Sequence, residues 1–126
     1  MSLSRLAAFA ALSLPGVSPA VAQPVPQAVT IAVFSFGYTP QPIHLRAGQP
    51  VTLTFVNQSG HGHDFTAPEF FASSAISAGA APTGKVPLAG HQSKSITLVP
   101  RAGTYPAHCS HFLHSSMGMT TTILVN

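Results

Sequence analysis

The sequence predicts an all-β domain, a Greek-key β-sandwich of seven or eight short strands. Three observations carry that reading. Apolar and polar residues alternate in several short runs, most plainly in Val51-Thr52-Leu53-Thr54-Phe55. Turn residues break the chain between the runs, and Gly and Pro together supply 22 of 126 positions. No stretch keeps a helical period, and no internal repeat is present. Short alternating runs with regular turn signals are the pattern of a two-sheet sandwich.

The N-terminus is read apart from the domain. Residues 1–5 form a short positive lead, residues 6–14 a short apolar run, and Ala20-Val21-Ala22 a small-x-small cleavage site. That is the layout of a secretory signal peptide. Residues 1–22 are therefore set aside as a signal segment and residues 23–126 taken as the domain, exported to a periplasm or otherwise out of the cytoplasm. The apolar run is too short to span a bilayer, so no membrane span is expected in the mature chain.

Within the domain, Val29, Ile31 and Val33 share one face of a first strand, which residues 34–36 extend. Gly37-Tyr38-Thr39-Pro40 reads as a turn. Residues 43–46 are a short strand, Ala47-Gly48-Gln49-Pro50 a turn, and residues 51–57 the clearest strand of all. A loop at 58–62 leads into a short strand at 63–66. Residues 68–84, rich in Ala, Ser and Gly, break the pattern, with a short helix over 69–77. Strands are expected at 86–88, 95–99, 104–109 and 120–125, the last with Thr121, Ile123 and Val125 on one face.

Composition narrows the function. Apolar residues make up 45% of the chain, enough for a core, whereas charged residues are only 6% and the net charge is +3. With no Lys/Arg run, nothing points to nucleic acid or to an anionic lipid surface. The single cysteine excludes an internal disulfide. An unpaired Cys in an exported protein is unusual, and metal ligation explains it. A monomer is expected, since nothing calls for a second subunit.

The chemistry gathers in His108-Cys109-Ser110-His111-Phe112-Leu113-His114-Ser115-Ser116-Met117-Gly118-Met119. Cys109, His114 and Met119 follow one another as Cys-x₄-His-x₄-Met on a loop pinned by strands at both ends. A thiolate, two imidazoles and a weak axial thioether make an electron-transfer copper site. The second imidazole must come from elsewhere, and His63, after a strong strand and its loop, is the best candidate. His44 within a strand and His91 in a turn are weaker. His111 and Met117 offer an alternative loop geometry. Zinc accepts Cys and His as well, but a thioether suits it poorly.

Four stretches, in order, give the chain its resemblance to the cupredoxins, the small blue-copper family. They are Phe36-x₃-Pro40-x₂-Ile43-x₄-Gly48-x₂-Val51, Asn57-x₅-His63, Gly103-Thr104-Tyr105-x₃-Cys109, and Cys109-x₄-His114-x₃-Gly118-Met119 before a β-branched last strand. The resemblance implies a cupredoxin-like sandwich with one type 1 copper ion, held by His63, Cys109, His114 and a long axial bond from Met119. The spacing to Gly118-Met119 favours His114 over His111 and Met119 over Met117. Thr120-Thr121-Thr122 departs from the family, where a Gly often stands, and is expected to alter local packing alone. Asp64 and Ser110, each one residue past a ligand, are expected to hydrogen-bond across the two segments. Phe112 and Leu113 would form an apolar rim.

The reading that follows is a periplasmic one-electron carrier, with redox proteins as partners and no substrate transformed, so not an enzyme. Copper handling, meaning buffering, delivery or resistance, is the competing reading, because His61, His108 and His111 crowd the expected site and copper-acceptor proteins would then be the partners. An oxidase is disfavoured. The last motif also resembles the final ligand segment of multicopper oxidases, but their trinuclear cluster needs more histidines than the seven present.

Overall fold

Ten strands among the described residues form two five-stranded sheets. The computed structural model describes residues 8–20 and 25–126. One sheet is ordered β2 (Gly37–Thr39), β1 (Gln27–Phe34), β4 (Val51–Asn57), β8 (Ser93–Val99) and β6 (Ala75–Ala78). The other is ordered β3 (Ile43–Leu45), β10 (Thr120–Val125), β9 (Gly103–His108), β5 (His63–Thr66) and β7 (Lys85–Leu88). β1 runs parallel to β4 and β3 parallel to β10, while the remaining pairs are antiparallel. From β2 to β9 the chain passes repeatedly from one sheet to the other, which closes the sandwich expected from the sequence.

The core lies between the sheets. Alternation puts Val51, Leu53 and Phe55 inward on β4 and leaves Thr52 and Thr54 half-buried behind them. From the facing sheet come Phe65, Val86, Leu88, Ala107, Ile123 and Val125. Each large apolar side chain so buried is worth about 1.5–3 kcal/mol. Behind the core the threonines pair across strands, Thr52 with Thr97 and Thr54 with Ser95, each at 2.9 Å.

The eight strands predicted are present, and two more join them. The turn expected at 37–40 is instead strand β2, because the reversal is made by Ser35 and Phe36, with Phe36 at φ +64°. The helix expected over 69–77 is α1 (Pro68–Ser73), followed by β6. It stops there because the Ser73 and Ser74 hydroxyls donate to the Phe70 carbonyl at 3.0 and 2.8 Å, and Ser74 turns extended. Serine in that role competes with helix continuation.

Residues 8–20 are exposed and carry no regular secondary structure. The charged lead at residues 1–5, and Val21 and Ala22 of the expected cleavage site, lie outside the described residues. Among the described residues no helix is long and apolar enough to cross a membrane.

Candidate metal centre

The loop from β9 to β10 is a hairpin connection closed at its base. Thr120 pairs with His108, and one residue on the Cys109 amide donates to the Met119 carbonyl at 3.1 Å. Cys109 and Met119 are thereby held side by side, and both are fully buried. Within the loop the chain coils on itself. His114 N–H donates to the His111 carbonyl at 3.1 Å and Met119 N–H to the His114 carbonyl at 3.0 Å. Leu113 at φ +63° and Gly118 at φ +93° supply the left-handed bends. Five backbone hydrogen bonds inside the loop return an N–H to a carbonyl three to five residues back, which satisfies the backbone of an otherwise irregular segment.

His63 opens β5, beside β9 in the same sheet, and is 2% exposed. The loop before it is fastened by buried Asn57. The Asn57 amide donates to the carbonyls of His61 at 2.7 Å and Ala89 at 3.0 Å. Its carbonyl oxygen accepts from the Ser59 amide and hydroxyl at 3.0 and 2.9 Å. Gly60 and Gly90 let the two loops touch backbone to backbone, since a Cβ on Gly90 would stand 2.5 Å from the Gly60 carbonyl oxygen.

These two supports bring three donors to one point. His63 Nδ1 lies 3.2 Å from His114 Nδ1, and Cys109 Sγ lies 3.4 Å from His114 Nδ1. All three donor atoms are within 4.8 Å of one another. Donors sharing one first-row ion at roughly 2.0–2.3 Å each stand about 3–4 Å apart, so the spacing fits a common metal. Two imidazoles and a thiol are three donors of a type 1 copper centre, Met119 is buried next in the ladder to Cys109, and the residues fit one such ion.

The electrostatics agree with that use. Burial pushes the His63 imidazole below its ordinary pKa, and His114, His111 and His61 push the same way against Asp64. His63 therefore keeps the neutral ring that a metal needs. Burial pushes the Cys109 thiol up, against backbone hydrogen bonds at His111 and Asp64. Without a metal the sulfur keeps its proton at neutral pH, and coordination is what removes it. Burial also pushes the Asp64 carboxyl up, but the Ser110 hydroxyl, the Thr66 hydroxyl and the Ser110 amide outweigh it and hold it below its ordinary value.

Asp64 is the bridge expected between the two segments. Its carboxylate accepts from the Ser110 amide at 2.8 Å, the Ser110 hydroxyl at 2.6 Å and the Thr66 hydroxyl at 2.7 Å. Its main-chain carbonyl accepts from buried Tyr38 at 2.6 Å. Phe36, in the β1–β2 turn, packs edge-on against His114 with ring centroids 5.3 Å apart.

His63, Cys109 and His114 thus meet, with Met119 buried beside Cys109. Met117 is 58% exposed and outside this group. His44 and His91 are exposed on a strand and in a turn, as expected. Phe112 and Leu113 are exposed near the half-buried His114, as a rim would be. His108 does not crowd the site. Strand alternation turns it away from Cys109, and it lines a surface cavity with Gln41, Ser115 and Thr122. The clamp by Asn57 and the contact of Phe36 with His114 went unforeseen. Asn57 before a glycine-rich loop was the available signal for the first, while nothing local signals the second.

Two packed sheets with a soft-donor cluster at the β9–β10 loop define a small β-sandwich with a candidate metal centre. The chain belongs to the family of the cupredoxin-like domain, whose profile matches residues 5–125. No curated protein matches it. Among solved structures it is similar to dithionite-reduced auracyanin of Roseiflexus castenholzii, at 22% identity and TM-score 0.61 over 79% of this chain and 97% of that one. It is similar also to auracyanin B, at 22% identity and TM-score 0.58 over 84% and 94%. Auracyanin A, described as a "blue" copper protein of Chloroflexus aurantiacus, matches at 21% identity and TM-score 0.55 over 79% and 99%. At these identities the likeness speaks for the fold.

Proposed function

We propose that the protein is an exported one-electron carrier with one type 1 copper, working in the periplasm or another extracytoplasmic space once residues 1–22 are removed. His63, Cys109 and His114 would hold the ion, with Met119 as the weak axial ligand. The observation that carries this reading is the approach of His63 Nδ1 and Cys109 Sγ to His114 Nδ1, at 3.2 and 3.4 Å. A copper ion bound there supplies a Cu(II)/Cu(I) couple. The chain supplies the rest. The closed β9–β10 loop and the Asp64–Ser110 bridge resist any change of donor positions when the charge on the ion changes. Burial keeps water from His63, Cys109 and Met119. His114, half-buried under Phe36, is the donor nearest the surface and the natural exit for an electron toward a redox partner.

The auracyanin A likeness to a blue copper protein supports the same reading. On this reading the role is electron transfer, with no substrate transformed. Copper handling is the second reading, favoured by His111 beside the donor cluster.

The test is a visible spectrum and paramagnetic resonance of the full chain with one equivalent of Cu(II), beside Cys109→Ser. An intense thiolate-to-copper band with narrow copper hyperfine splitting is expected, and Cys109→Ser should lose both. Colour that survives the substitution would refute the ligand assignment. Electron exchange with a redox protein against metal transfer to an apo-acceptor separates the two readings.

A further inference from the structure

We propose that His111 and Asp64 form a copper-capture position that shares Cys109 with the buried donor set. His111, Asp64 and Cys109 would receive an ion from solvent before His63 and His114 take it. The inference rests on the reading of His63, Cys109 and His114 as copper ligands.

The geometry points this way. A ring nitrogen of His111, a carboxylate oxygen of Asp64 and Cys109 Sγ all lie within 4.8 Å of one another, a second donor set overlapping the first only at the sulfur. His111 Nε2 stands 3.6 Å from Asp64 Oδ2. The His111 ring faces both histidines of the buried set, with centroids 5.3 Å from His114 and 6.3 Å from His63 and planes 32° and 30° apart. Gly62, one residue before His63, lies against that ring, since a Cβ there would stand 3.4 Å from His111 Cε1.

Exposure sets the direction. The His111 side chain is 44% exposed and that of Asp64 2%. Cys109 and His63 are buried, and His114 is intermediate. His111 is thus the solvent-facing member of its set, while Asp64 and Cys109 behind it are as buried as His63, so an ion would enter by way of the His111 ring. Asp64 is also a weak partner for a metal, because Ser110 and Thr66 already occupy its oxygens. A soft ion prefers a second imidazole and a thioether to such a carboxylate, so the outer position would hold an ion only briefly. The step is ligand exchange without redox change. The Cys109 proton leaves as the metal–sulfur bond forms and passes to solvent by way of the exposed His111 side, Cys109 itself being buried. His111 and Asp64 then release as His63 Nδ1 and His114 Nδ1 bind, and the sulfur stays bonded throughout.

Rapid mixing of the copper-free full chain with one equivalent of Cu(II) tests this, with growth of the thiolate-to-copper band as the readout. His111→Ala and His111→Gln should reach the same final band and the same hyperfine splitting, but at least about tenfold more slowly, because an intramolecular hand-off is lost. His44→Ala, which removes an exposed imidazole elsewhere, should load at the unsubstituted rate. Unchanged loading in His111→Gln would overturn the proposal, as would equal slowing in His44→Ala. A changed final splitting in His111→Gln would overturn it too, by making His111 a ligand of the finished centre. Failure of every protein, the unsubstituted chain included, to develop the band would instead remove the type 1 reading, and this inference with it.

Discussion

The carboxylate of Asp64, one residue past His63, is bound by both the amide and the hydroxyl of Ser110, one residue past Cys109, at 2.8 and 2.6 Å. Two segments 46 residues apart in sequence are thus locked at the positions that flank two proposed ligands. A hydrogen bond to a charged group contributes about 1.5–3 kcal/mol. Ser110→Ala should therefore destabilise the copper-free protein by about that amount in urea unfolding at neutral pH. The sign with pH follows from the lowered Asp64 pKa. A carboxyl whose folded pKa lies below its unfolded value, about 3.9, adds stability that is complete above that value. The stability is lost as pH falls through the folded one. The Ser110→Ala deficit should accordingly shrink in acid, and a deficit equal at neutral and acid pH would mean that the carboxylate charge is not what the serine serves.

Asn57 holds the other support. Its side chain makes four hydrogen bonds of 3.0 Å or less while 1% exposed, and it joins the loop before His63 to the β7–β8 turn. Asn57→Ala leaves the His61 and Ala89 carbonyls short of a donor and should cost roughly 3 kcal/mol in unfolding free energy. Because His63 is positioned by this loop, copper affinity should fall about 10–100-fold as well. A competition titration against a chelator reads that loss, and an unchanged affinity would show that β5 alone fixes His63.

What the sequence disclosed and what it withheld divide along physical lines. β4 and β10 were legible because one face is buried and one is not, so composition alternates. β6 was not, because all four of its residues are exposed and only backbone pairing to β8 makes it a strand. β2 was masked by turn-forming Gly37 and Pro40, although Tyr38 within it is buried and reaches the Asp64 carbonyl. At the site, Cys109, His114 and Met119 declared themselves by donor chemistry on one loop. Phe36 against His114 and His111 over His63 depend on which segments the sandwich brings together, and no local pattern encodes that.

Met119 and Met117 make opposite predictions. Met119 is fully buried, with its carbonyl bonded to the Cys109 amide, whereas Met117 is 58% exposed. The axial ligand tunes the potential of such a centre. Met119→Leu should leave copper bound and raise the reduction potential, because a weak donor to the oxidised ion is removed. Met117→Leu should leave the potential unchanged. Redox titration followed at the visible band decides between them, and a rise in Met117→Leu alone would move the axial role to Met117.

Thr121 stands near the start of the last strand. It pairs with Ala107 and is 6% exposed, and among the described residues its hydroxyl has no hydrogen-bond partner. A buried hydroxyl left without a partner carries a desolvation cost of about 1–3 kcal/mol. Valine has nearly the same shape and also favours a strand. Thr121→Val should therefore stabilise the protein by about 1 kcal/mol, a rise in Tm of roughly 4–8 °C for a domain of this size. The copper band should not move, because Thr121 belongs to neither donor set and the substitution keeps its shape. A lower Tm would show that the hydroxyl is satisfied in solution, by a buried water at the sheet interface.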